Sequence, residues 1–142
     1  MTYNDIEAFV QKYSGDVFKW EPMAPYYISR MLEDDRILIV EKDGKIEVLS
    51  FLSMGDDPDK FRRKNCWDYL EHDPESKFCY LEKFIAVKWD FWALKEVIRD
   101  GIDVARERFP NAEVLFWQRV KKRQDKLVSL PLTYFRDERL TK

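Results

Sequence analysis

Phe78-Cys79-Tyr80-Leu81-Glu82-Lys83-Phe84-Ile85-Ala86-Val87, followed after Lys88-Trp89-Asp90 by Phe91, Leu94, Ile98, Ile102, Ala105 and Phe109 at steps of three and four, is the stretch that decides the fold. Its first part is mostly apolar on both faces, as a central strand covered by helices would be, with Glu82 and Lys83 as the only charged interruptions. Beyond Asp90 the period changes. Lys95, Glu96, Arg99, Asp103, Arg106 and Glu107 largely occupy the side opposite the apolar positions, which predicts one long amphipathic helix. Asp90 is suited to cap it and Pro110 to stop it. Gly101 falls near the apolar stripe, where a missing side chain lets the helix approach the sheet closely, against a cost of about 1 kcal/mol relative to Ala.

Upstream, Arg36 to Glu41 and Ile46 to Leu52 flank Lys42-Asp43-Gly44-Lys45. Asp-Gly suits a two-residue hairpin turn, whose central positions both need positive φ. Between this hairpin and Phe78 the chain is polar and punctuated by Pro58 and Pro74, with a short helix expected around Phe61, Trp67 and Leu70. Towards the N-terminus, Ile6, Phe9, Val10 and Tyr13 have helical spacing behind an expected Asn4 or Asp5 cap, with Gly15 as the stop, and Tyr26 to Leu32 forms a second helix behind Pro25. Downstream, Ala112 to Val120 is expected as a strand, Lys121 to Lys126 as a basic turn or loop, and Leu127 to Phe135 as a last strand with Pro131 at an edge or bulge. The fold class is therefore α+β: a central, mainly antiparallel sheet with a long helix after its central strand. The length of 142 residues suits one domain.

Composition narrows the function classes. With 45% hydrophobic and 37% charged residues the chain is neither disordered nor, lacking a long uncharged apolar run, a membrane protein. A net charge of −2 exerts no global pull towards nucleic acid or anionic membrane, which leaves a small molecule or a protein as the expected partner. Two cysteines, Cys66 and Cys79, and a start at Met1 without the basic and apolar regions of a secretory signal point to the reducing cytoplasm, where a Cys66–Cys79 disulfide is disfavoured.

The order of two helices, antiparallel strands and a long helix directly after the central strand resembles the core of the GNAT acyltransferases. Tyr80 to Val87 is similar to that family's central strand, an acidic and a basic residue, an apolar pair and Val, with Glu82 one residue further from Val87 than in the family pattern. In that family the following turn holds the coenzyme A pyrophosphate on backbone N–H groups. The resemblance thus implies Val87, Lys88 and Trp89 as cofactor-binding positions and acyl-coenzyme A as donor. The turn here, Lys88-Trp89-Asp90-Phe91-Trp92-Ala93, has no glycine and places a carboxylate where the phosphate should sit. Phe84-Ile85-Ala86, Asp90 and Phe109-Pro110 are also similar to the toxin-activating lysine acyltransferases, which use acyl carrier protein and a catalytic aspartate. That likeness implies Asp90 as catalytic. Two departures stand beside it: Val87 replaces the proline expected after Ala86, and the family's N-terminal histidine has no counterpart, His72 being the only histidine.

Each candidate has a structural reading too. Asp90 serves equally as a helix cap. Glu82 is either a general base, made reactive by desolvation, or a carboxylate that pairs with neighbours or reaches solvent. His72, Cys66 and Cys79 match no zinc spacing, so no metal is expected, and a lone His in a charged loop most often lies on the surface. Of Trp89, Phe91 and Trp92, either the early helices cover the rings or at least one faces outwards. Lys121, Lys122, Arg123 and Lys126 are expected in solvent. Two functions result: acyl transfer to an amine near Glu82 and Asp90, or a non-catalytic binding protein that uses the Trp89 to Trp92 cluster.

Overall fold

The computed structural model of the chain describes residues 2–14, 20–57, 67, 72–88, 90–121 and 124–133. Helix α1 (Tyr3–Tyr13) buries Ile6, Phe9 and Val10. Its cap is Thr2, not Asn4 or Asp5: the Asp5 N–H donates to the Thr2 hydroxyl and the Thr2 N–H to the Asp5 carboxylate, a reciprocal box that places Asp5 inside the first turn. Helix α2 (Ala24–Glu33) begins before Pro25, because the first turn has no use for the N–H that proline lacks. It buries Tyr27, Ile28 and Met31 and ends at Asp34, after which Asp35 turns the chain at φ 56°. Arg108, at the far end of the long helix, donates to the carbonyls of Asp34 and Asp35 and anchors that turn.

Strands β1 (Ile37–Lys42) and β2 (Lys45–Met54) form the expected hairpin, with Asp43 and Gly44 at φ 55° and 77°. Strand β3 (Phe78–Ala86), helix α3 (Phe91–Arg108), β4 (Val114–Lys121) and β5 (Gln124–Pro131) complete the order. The sheet runs β1-β2-β3-β4-β5 and is mixed: β3 and β4 are parallel, and the other three pairings are antiparallel. A parallel pair needs a long crossover, which α3 supplies.

The last hairpin departs from the sequence expectation. β4 and β5 stay paired through Lys121↔Gln124, so most of the expected basic loop is strand. Backbone pairing at a sheet edge tolerates polar side chains, and hydropathy alone underestimates such strands. Pro131 ends β5 on the edge of the sheet.

Each face of the sheet carries a core. On one face α3 packs Val97, Ile98, Ile102 and Ala105 against Leu38, Leu52, Leu81 and Leu115. A Cβ on Gly101 would stand 3.1 Å from Leu81 Cδ2, which is the close approach its position suggested. On the other face α1 and α2 pack Ile6, Val10, Tyr27, Ile28 and Met31 against Leu49, Phe51, Ile85 and Trp67. The short helix expected near Phe61 and Leu70, and the Cys66 partner of a disulfide, lie outside the described residues. Cys79 is a buried free thiol that desolvation holds well above its usual range. Among the described residues no helix is long and apolar enough to cross a membrane.

Candidate functional site

Strand β3 breaks its own alternation. Cys79, Leu81, Phe84 and Ala86 belong to the core under α3 and Ile85 to the opposite one, so one residue is in excess between Leu81 and Phe84. That residue is Lys83, at φ 54°. The β2–β3 register confirms a bulge, since Leu49 faces Ile85 and Phe51 faces Glu82, which leaves two residues of β3 opposite Ser50. The Ser50 hydroxyl donates to the Glu82 carbonyl at 2.8 Å and steadies the distortion. A left-handed non-glycine residue costs about 1–2 kcal/mol, so the surrounding structure must hold Lys83 there.

The bulge brings two sequence neighbours together. Glu82 and Lys83 are 4% and 7% exposed, and Lys83 Nζ stands 3.6 Å from Glu82 Oε1. The same ammonium lies 4.2 Å above the Tyr27 ring and 5.5 Å from the Trp67 ring centre, both within cation–π range. Tyr27, Trp67 and Phe51 are mutually near-perpendicular, at 80–82°, and form a corner of three ring faces. Glu82 Oε2 accepts from the Ser53 hydroxyl at 2.6 Å, and Ser53 in turn accepts from Arg36 Nη1 at 3.1 Å. Arg36 also reaches the Leu52 carbonyl and Asp34. Two cations and two carboxylates are thus interleaved, the arrangement that offsets desolvation of buried charge. The Tyr27 hydroxyl, fully buried, faces the Glu82 carboxylate; burial first, and then that charge, keep it neutral far above its ordinary range.

His72 is half-buried and not simply a solvated surface residue. Its Nδ1 accepts from the Met54 N–H at 3.0 Å and its ring packs edge-on to Phe109, so partial burial and the positive charge of Arg36 lower its pKa from 6.5 to about 4. It is a neutral acceptor that closes the end of β2. No group of three or more His, Cys, Asp or Glu that could hold a metal occurs among the described residues.

Glu82 also marks a fork. β3 and β4 pair only from Phe78↔Val114 to Leu81↔Trp117; beyond that β3 continues beside β2 and β4 beside β5. Past the end of β3 the Val87 N–H donates to the Glu47 carbonyl at 2.9 Å, Lys88 is exposed, and Trp89 lies outside the described residues. Asp90 caps α3, its Oδ1 accepting from the Ala93 N–H at 2.9 Å. Phe91 is 78% exposed and Trp92 41%, with Lys42 Nζ 5.4 Å above the Trp92 ring. The early helices therefore do not cover these rings. Val87, 42% exposed, joins this platform to a shallow groove of about 600 Å3 between α1 and the first hairpin, lined by Phe9, Tyr13, Lys12, Lys45 and Glu47.

The structure thus separates the two candidate carboxylates: Glu82 is inside, bound to Ser53 and Lys83, and Asp90 is outside, engaged as a cap. Lys83, Tyr27, Trp67, Arg36 and Ser53 join the site without any sequence motif that marks them as functional. One signal was present, because two consecutive charges in a strand buried on both faces need a bulge to turn them to the same side. Neither known family models nor curated proteins match this chain.

Proposed function

We propose that this chain is a divergent GNAT-like domain that works as a binding module, with Val87, Phe91 and Trp92 as its contact surface. The observation that carries this reading is the pair of exposed rings at the head of α3, where a soluble domain would otherwise place polar residues. Occupation of the expected anion seat supports it: Asp90 takes the Ala93 N–H and Glu47 takes the Val87 N–H, so both groups are engaged before any pyrophosphate arrives. Calorimetric titration with acetyl-coenzyme A and with a longer acyl-coenzyme A should give no heat. Phe91→Ser with Trp92→Ser should abolish binding of an apolar dye and leave the circular dichroism spectrum unchanged. Acyl-coenzyme A heat that disappears in Asp90→Ala would reject the reading.

The fork favours a second reading, acyl transfer to an amine. Ligands of open sheets sit outside the carboxyl ends of strands where neighbouring connections diverge, and Glu82 is the first residue beyond the parallel pairing. In this reading the amine attacks the thioester of acyl-coenzyme A or acyl carrier protein, Glu82 takes the amine's proton, and the C–S bond breaks to release the carrier's thiol. Turnover of an acyl donor that is lost in Glu82→Gln would establish it.

A further inference from the structure

We propose that Tyr27, Trp67 and Glu82 form a binding site for a primary alkylammonium group, plugged in this conformation by the chain's own Lys83. The inference rests on neither functional reading above.

Three independent contacts define the site. The Tyr27 face is its floor at 4.2 Å, the Trp67 face a wall at 5.5 Å, and the Glu82 carboxylate its charged side at 3.6 Å. The two rings meet at 80° with centres 5.4 Å apart, so their faces open onto one shared corner. An ammonium there gains two ring quadrupoles and a carboxylate at once, contacts that together offset its desolvation. The carboxylate is itself pre-set by Ser53, which Arg36 holds in turn. The buried Tyr27 hydroxyl faces the same carboxylate, and its oxygen keeps lone pairs that can accept an incoming N–H.

The plug is the strained element. Lys83 reaches the corner only because its backbone sits at φ 54° on the bulge. In a regular strand its side chain would point to the face opposite that of Glu82, since successive residues alternate. The ligand class follows from the group now bound: a primary ammonium on a short, unbranched alkyl stem.

Chemical rescue tests this. Lys83→Ala empties the corner of the atoms that propylammonium would replace. Lys83→Gly, which accepts positive φ without strain, does the same for butylammonium. Thermal unfolding of each variant is followed in the matching alkylammonium chloride and in sodium chloride at equal concentration. Propylammonium or butylammonium should raise Tm by about 4 °C at roughly ten times its dissociation constant. The wild type should not respond, because Lys83 already fills the site, and adding Glu82→Gln to either variant should cancel the rise. Where a variant is unfolded in sodium chloride, recovery of its folded circular dichroism signal in alkylammonium reads the same affinity. Equal Tm in the two salts, an equal rise in the Glu82→Gln background, or variants unfolded in both salts would overturn the proposal.

Discussion

The Ser53 hydroxyl donates to the Glu82 carboxylate at 2.6 Å, across the β2–β3 pairing and out of solvent. A hydrogen bond to a buried charge contributes more than a neutral one, so Ser53→Ala should cost about 2 kcal/mol. Urea unfolding should show a lower midpoint at an unchanged m-value. A loss below about 0.5 kcal/mol would mean that water replaces the hydroxyl and that Glu82 is less enclosed than its geometry indicates.

Gly101 presses α3 against β3. Replacement by Ala gains about 1 kcal/mol of helix propensity but drives a methyl group to within 3.1 Å of Leu81 and 3.4 Å of Leu38. Leu81 is buried and has little room to yield, and overpacking costs about 1–3 kcal/mol. Gly101→Ala should therefore lower stability by about 1 kcal/mol, and Leu81→Val in the same chain should recover part of the loss. A stabilised Gly101→Ala would show that the leucine tips give way.

Stability should depend on pH through His72. Its folded pKa, about 4, lies below the ordinary 6.5, so the unfolded chain binds the proton more readily. The contribution is complete above pH 6.5, is lost as pH falls towards 4, and does not decline further below that. The full displacement corresponds to about 3 kcal/mol, which half-exposure to solvent reduces to about 1–2 kcal/mol. Denaturation midpoints measured between pH 7.5 and 4 in wild type and His72→Gln should differ in slope; parallel curves would remove His72 from the account.

Asp90 as a cap makes a discriminating prediction. Asn accepts the Ala93 N–H as well as Asp does, so Asp90→Asn should be nearly neutral, whereas Asp90→Ala should cost about 1 kcal/mol. Thermal unfolding of the two variants measures this, and equal losses would point to the charge of Asp90 and not to its hydrogen bond.

Local chemistry alone determined a good part of this protein. The Asp43-Gly44 hairpin, the Asp90 cap and the run of α3 from Phe91 are each set by residues near in sequence, through positive φ, capping oxygens and a period of 3.6. The parallel β3–β4 pairing, the direction of the Phe91 and Trp92 rings, the partial burial of His72 and the convergence of Arg36, Ser53, Tyr27, Trp67, Glu82 and Lys83 were decided only by tertiary structure. A bulge shifts side-chain alternation by one residue, and whether it forms depends on what the partner strand and the facing helix offer to the extra side chain. At Lys83 the ammonium meets the Tyr27 ring while the Ser50 hydroxyl holds the neighbouring Glu82 carbonyl, groups far away in sequence and adjacent only once β2, β3 and α2 have packed.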